Sequence, residues 1–229
     1  MTRILLIETS TAMLSVSLAE DGVVVASRTC DEPRMQAALT APLVKEVLDS
    51  QGLGVKDCDA IAVSKGPGSY TGLRVGVSTA KGLAFGAGLP LIGIGTLDVL
   101  CQSVIPSEAS VSHAFIVPMI DARRMEVYTA VFTPDGQQQG PLEAKIIDAQ
   151  SFADELSQGP VLFIGDGALK CREVLTHPNA RFREAWPLAQ HMAPLAQKAF
   201  DEKRFEDLAY FEPFYLKDFV ATISRKNLF

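Results

Sequence analysis

The sequence repeats one pattern of strand, turn and glycine, and this limits its fold more than any other feature. Glu8 closes a first apolar run, Ile4-Leu5-Leu6-Ile7, and Asp121 closes the run Phe115 to Ile120, 113 positions later. Asp21-Gly22 and Asp135-Gly136 form turns 114 positions apart. Ile61-Ala62-Val63 before Gly66 is matched by Leu162-Phe163-Ile164 before Gly165. Similarly spaced features mean a duplicated unit, and each unit must bury its apolar strands against helices of its own or of its twin. The pattern predicts an α/β chain of two halves, each opened by three antiparallel strands. Two such halves enclose a cleft, with an acidic residue from each first strand pointing into it.

The finer reading follows periodicity. Leu14-Ser15-Val16-Ser17-Leu18 alternates as a half-exposed strand does, and Val23 to Arg28 continues past the Asp21-Gly22 turn. Met35, Ala38, Leu39, Leu43, Val47 and Leu48 share one face of a helix from about Arg34 to Gln51. Pro42 is expected to kink or split it. A strand over Ala60 to Val63, a helix over Thr71 to Ala87, a strand over Leu91 to Ile94 and a helix over Leu97 to Val104 complete the first half. The second half gives strands Phe115–Ile120, Glu126–Phe132, Leu142–Ile147 and Val161–Ile164. Its helices are Ser151–Leu156, Ala168–Leu175 and Leu188–Arg204. The expected domains are 1–108, joined by a C-terminal segment 205–229, and 109–204.

A net charge of −6 and a pI near 5.1 argue against a surface built mainly to grip phosphates. Arg225-Lys226 is too small a basic element to change that. Cys30, Cys58, Cys101 and Cys171 form no CxxC pair, which fits buried thiols in a reducing cytoplasm. The longest uncharged stretch, Gly82 to Leu97, is broken by glycines and a proline and is too short for a membrane span. A cytoplasmic protein is expected, without a membrane partner.

Candidate chemistry is sparse. Gly66-Pro67-Gly68-Ser69-Tyr70-Thr71-Gly72 joins a strand to a helix, a place where backbone N–H groups can meet an anion. No lysine follows the last glycine, as a phosphate-binding P-loop requires, and Thr71 replaces the third glycine of a dinucleotide loop. The alternative is a tight turn for close packing. Gly72, Gly76, Ala80, Ala84 and Gly88 follow at intervals of four, a ridge that packs either on the protein's own sheet or against another helix. An arginine at Ala80 would separate those readings. His113, His177 and His191 supply no helical pair for zinc or iron, so no metal site and no catalytic residue is assigned. Candidate nucleotide or phosphate contacts are Glu8, Thr9, Ser10, Gly68, Ser69 and Asp121, with Glu8 and Asp121 placed to hold a magnesium–nucleotide. Arg123 and Arg124 are expected to pair with acidic groups.

The repeated unit resembles the actin/Hsp70/sugar-kinase superfamily. Within it, four segments resemble the bacterial TsaB family: Ile7-Glu8-Thr9-Ser10, Lys65 through Gly76, Ile120-Asp121-Ala122-Arg123-Arg124-Met125-Glu126-Val127-Tyr128, and Pro213-Phe214-Tyr215-Leu216. The resemblance implies two kinase-like domains, each a mixed sheet with helices on its faces. It implies a non-catalytic subunit for threonylcarbamoylation of the adenosine next to the anticodon of tRNA. The implied partners are a TsaD-like catalytic subunit, bound as a heterodimer, and a TsaE-like ATPase, with tRNA met only through the complex. A homodimer of the isolated chain is left open. No cofactor of its own is implied, but ATP or ADP with magnesium at the partner interface is. Pairing would run through helices of the first half, at Met35, Leu39, Leu43, Gly72, Gly76, Ala80 and Ala84. Two departures stand out: Glu8 where the family more often has Asp, and Met35-Gln36 where many members carry a histidine. The rivals are a small-molecule kinase with magnesium–ATP in the cleft, and a metallopeptidase.

Overall fold

A computed structural model describes residues 1–105 and 113–217. The expected domain division near residue 108, Arg225-Lys226 and the rest of 218–229 lie outside the described residues. Two five-stranded mixed sheets form the framework. In the first, β1 (Arg3–Glu8), β2 (Leu14–Glu20), β3 (Val23–Cys30), β4 (Ala60–Gly66) and β5 (Leu91–Gly95) take the order β3-β2-β1-β4-β5. In the second, β6 (Phe115–Asp121), β7 (Glu126–Phe132), β8 (Gln138–Ile146), β9 (Val161–Ile164) and β10 (Ala180–Arg183) take the order β8-β7-β6-β9-β10. In each, the first strand is central, antiparallel to the second and parallel to the fourth.

The run Ile4-Leu5-Leu6-Ile7 has no polar alternation because β1 is covered on both sides. Leu5 and Ile7 belong to one core cluster with helices α1 (Gln36–Asp49) and α2 (Tyr70–Ala87). Ile4 and Leu6 belong to another, with Ala189, Met192, Ala193, Ala196 and Ala199. Short alanines let that last segment lie close on the sheet. Residues 189–201 therefore pack on the first sheet, although the sequence places them in the second half. Helix α3 (Thr96–Gln102) lies between the sheets: Val99 joins the Ile4–Leu6 cluster, while Leu97, Leu100 and Cys101 pack with Ile116, Ile120, Leu162 and Ile164 of the second sheet. The far face of that sheet is covered by α4 (Ala153–Gln158) and α5 (Ala168–Cys171), with Val117, Met119, Val161 and Phe163 between. Among the described residues the last helix is α6 (Ala193–Asp201).

Helix α1 runs unbroken through Pro42. Pro42 is exposed, so the carbonyl that loses its N–H partner faces water rather than core. Strand β10 was not read from the sequence; four residues, Ala-Arg-Phe-Arg, carry too little pattern.

Candidate functional site

The end of β1 carries the first of the two acidic residues that the sequence assigns to a cleft. Glu8 is fully buried. Its Oε1 accepts hydrogen bonds from Ser10 N at 2.6 Å and from Ser64 Oγ at 2.8 Å, at the end of the neighbouring β4. Its Oε2 is buried without a hydrogen-bond partner. Burial pushes the carboxyl up to about 7, against the pull of the hydrogen bonds from Ser10 and Ser64. At that value the carboxyl carries its full charge only above neutral pH, unlike an ordinary carboxylate.

The glycine-rich loop closes over it. Ser69 N donates to Ser10 O at 2.6 Å, and Thr9 Oγ1 donates to Gly72 O at 2.8 Å. A Cβ on Gly68 would lie 2.4 Å from Ser10 O; on Gly72, 2.1 Å from Thr9 O; on Gly76, 2.2 Å from Thr9 Oγ1. These glycines let the start of α2 rest directly on Thr9 and Ser10. Ser69 caps α2, accepting from Gly72 N at 3.3 Å. The loop's close approach is to the chain itself, as the tight-turn reading has it.

Asp121 is different. Its side chain is about half exposed, and Oδ1 takes an ion pair from Lys170 together with the Arg123 N–H at 2.9 Å. Asp166 Oδ1 accepts from Asp121 N at 3.1 Å, and burial raises the Asp166 carboxyl. Among the described residues no group of three His, Cys, Asp or Glu could hold a metal. Neither carboxyl stands free in the way the sequence suggests for a magnesium–nucleotide: Glu8 is buried with Oε1 bonded to Ser10 and Ser64, and Asp121 is held by Lys170.

The ridge on α2 also faces inward. Gly72, Gly76, Ala80 and Ala84 are buried, the alanines in the core cluster that includes Leu43 and Val47 of α1. Leu43 is 8% exposed, and Leu39 and Met35 are half-buried. This corrects the expectation that these residues line an open partner face: the short side chains serve α2's own packing on Thr9 and α1. The outer face carries Ala38, Ala41 and Pro42 on α1, and Ser78, Gly82, Phe85 and Gly86 on α2. Phe85 is 81% exposed, and Gly82 and Gly86 face open space. At the start of α2, Tyr70 packs on Tyr215 with ring centroids 4.7 Å apart and the planes tilted by 36°, and Arg74 sits 5.1 Å over the Tyr70 ring. Phe214 N donates to Lys65 O at 2.6 Å, so the Pro213–Leu216 motif straps the loop from outside. Ser64 and Lys170 were missed. Ser64 had a weak signal, a polar residue directly after a buried run; Lys170, 49 positions from its partner, had none.

Two five-stranded mixed sheets of matching strand order define an α/β protein. An activator of 2-hydroxyisocaproyl-CoA dehydratase from Clostridium difficile shares that fold, with a TM-score of 0.50 at 10% identity over 89% of this chain and 96% of that one. Nearer relatives are specific. The family model for TsaD, tRNA N6-adenosine threonylcarbamoyltransferase, matches residues 34–225. The tRNA threonylcarbamoyladenosine biosynthesis protein TsaB of Escherichia coli is 32% identical over 96% of both chains, and that of Bacillus subtilis is 29% identical over 93% of both. YeaZ from Pseudomonas aeruginosa superposes with a TM-score of 0.83 at 26% identity, over 94% of this chain and all of that one. The chain belongs to the TsaB family of tRNA threonylcarbamoyladenosine biosynthesis proteins, within the wider TsaD-related group.

Proposed function

We propose that this chain is a non-catalytic subunit for threonylcarbamoylation of tRNA, pairing with a TsaD-like subunit that carries the chemistry. The observation that supports this best is the burial of Glu8. A carboxyl sealed under a loop packed onto Thr9 and Ser10 leaves the chain's own cleft poorly suited to a magnesium–nucleotide. The partner surface in this reading is the outer face of α1 and α2, where Ala38, Ala41, Pro42, Gly82 and Phe85 are exposed. Small residues there let a second pair of helices approach closely, and Phe85 supplies apolar area to bury. ATP or ADP with magnesium, and a TsaE-like ATPase, belong to the assembled complex rather than to this chain. The domain division near residue 108 is part of the proposal, with 189–201 joining the first half because it packs there. Co-purification of the chain with its TsaD-like partner tests the reading. Stable association, with no sustained ATP turnover by the isolated chain, is expected; turnover without a partner would instead support the kinase.

A further inference from the structure

The hairpin between β6 and β7 carries two arginines in an unusual setting. Arg123 and Arg124 have φ of 72° and 52°, consecutive left-handed residues at a turn that Asn and Gly enter with less strain. Both are exposed. The sequence suggests that they pair with acidic groups, but among the described residues neither guanidinium makes an ion pair or hydrogen bond. The acids beside them are already engaged: Lys170 holds Asp121, and Lys217 holds Glu126. Asp166 is half-buried and accepts from the Asp121 N–H. Asp121 also fixes the turn, through the Arg123 N–H. The lysines thus neutralise the neighbouring carboxylates, and the two guanidiniums form a local positive tip on a chain of net charge −6. Non-glycine residues in the left-handed region carry backbone strain, and such strain clusters at ligand-binding positions.

We propose that the Arg123–Arg124 turn is a docking site for phosphate groups, the phosphodiester backbone of an RNA being the expected source. Guanidinium forks match phosphate oxygens bidentately, and adjacent forks can engage one polyanion together. The RNA assignment rests on the reading above that the chain works on tRNA; the site itself does not depend on pairing with a TsaD-like subunit. The test therefore uses the full chain alone at low ionic strength. The probes are a tRNA transcript, ATP and polyglutamate, and binding is followed as salt rises. Each lost phosphate contact should reduce the slope of log affinity against log salt by about 0.7 to 0.9. Arg123→Gln/Arg124→Gln should lower the tRNA slope by about 1.4 to 1.8 without changing the melting temperature. Arg181→Gln, an exposed arginine elsewhere, should leave the slope alone. Loss of ATP binding with tRNA binding unchanged would keep the phosphate site and assign it to a nucleotide. The proposal is overturned by no measurable binding of tRNA or ATP to the unaltered chain, by unchanged slopes in the double variant, by an equal loss in Arg181→Gln, or by an equal loss with polyglutamate. Failure to pair with the TsaD-like subunit would overturn the proposed function and leave this test standing.

Discussion

Glu8 ends the central strand of the first sheet, and burial there makes its charge costly. The strand run before it is apolar because β1 is central, and the same burial that makes β1 a good strand desolvates the residue at its end. Its folded pKa of about 7 exceeds the ordinary value of 4.5. The fold therefore prefers the protonated form. That preference is fully present below about pH 4.5 and is lost as pH rises through about 7. At 1.36 kcal/mol per pKa unit the span amounts to about 3 kcal/mol. Glu8→Gln keeps the acceptor for Ser10 and Ser64 but cannot ionise. Thermal melts between pH 4 and 8 should show the unaltered chain losing stability across this window while the variant's curve stays flatter; parallel curves would show that Glu8 is ionised throughout. The sequence marks Glu8 as a candidate but not its state, because that depends on Ser64, 56 positions away, and on a loop that closes over Ser10. Local pattern does not carry such tertiary contacts.

At the scale of the element, α2 shows how one helix uses glycine for two purposes. Gly72 and Gly76 are small because Thr9 lies against them. Gly72→Ala or Gly76→Ala should destabilise the chain by about 1 to 3 kcal/mol, read as a lowered melting temperature. Gly82 faces open space, so Gly82→Ala should stabilise by about 1 kcal/mol through helix propensity alone. Loss of stability at Gly82 or tolerance at Gly76 would reverse the assignment of faces. The same geometry separates two arginine substitutions. Ala80→Arg forces a charged chain into the core beside Leu43 and Val47 and should leave the protein unfolded or aggregated. Gly82→Arg should fold, yet bury an unpaired charge on assembly, costing about 2 to 5 kcal/mol, or roughly 30- to several-thousand-fold in affinity for a TsaD-like partner. Circular dichroism and a pull-down read both. The spacing of four was legible from sequence; which face it presents was not, since a stripe of small residues looks alike whether it meets a partner or the chain's own loop.

For the whole molecule, the repeat foretold two sheets, and both appear with matching strand order. What the repeat could not show is the exchange of cover between them. Helix α3 follows the first sheet yet packs on the second, and α6 follows the second yet packs on the first. Sequence order gives connectivity, whereas cover is decided by which apolar faces remain open: the alanine face of 189–201 matches Ile4 and Leu6. A chain knit together this way should hold its two acidic strand ends in a fixed relation whether or not they do chemistry. The measurement that most directly tests a subunit without chemistry of its own is threonylcarbamoyladenosine formation on tRNA by the reconstituted TsaD-like complex. It is run with the unaltered chain, with none, and with Glu8→Gln. Product is expected with the unaltered chain, little without it, and near-full activity with the variant once assembly is confirmed. Loss of product by the variant in an intact complex would contradict this, and would place the chemistry in this chain's own cleft.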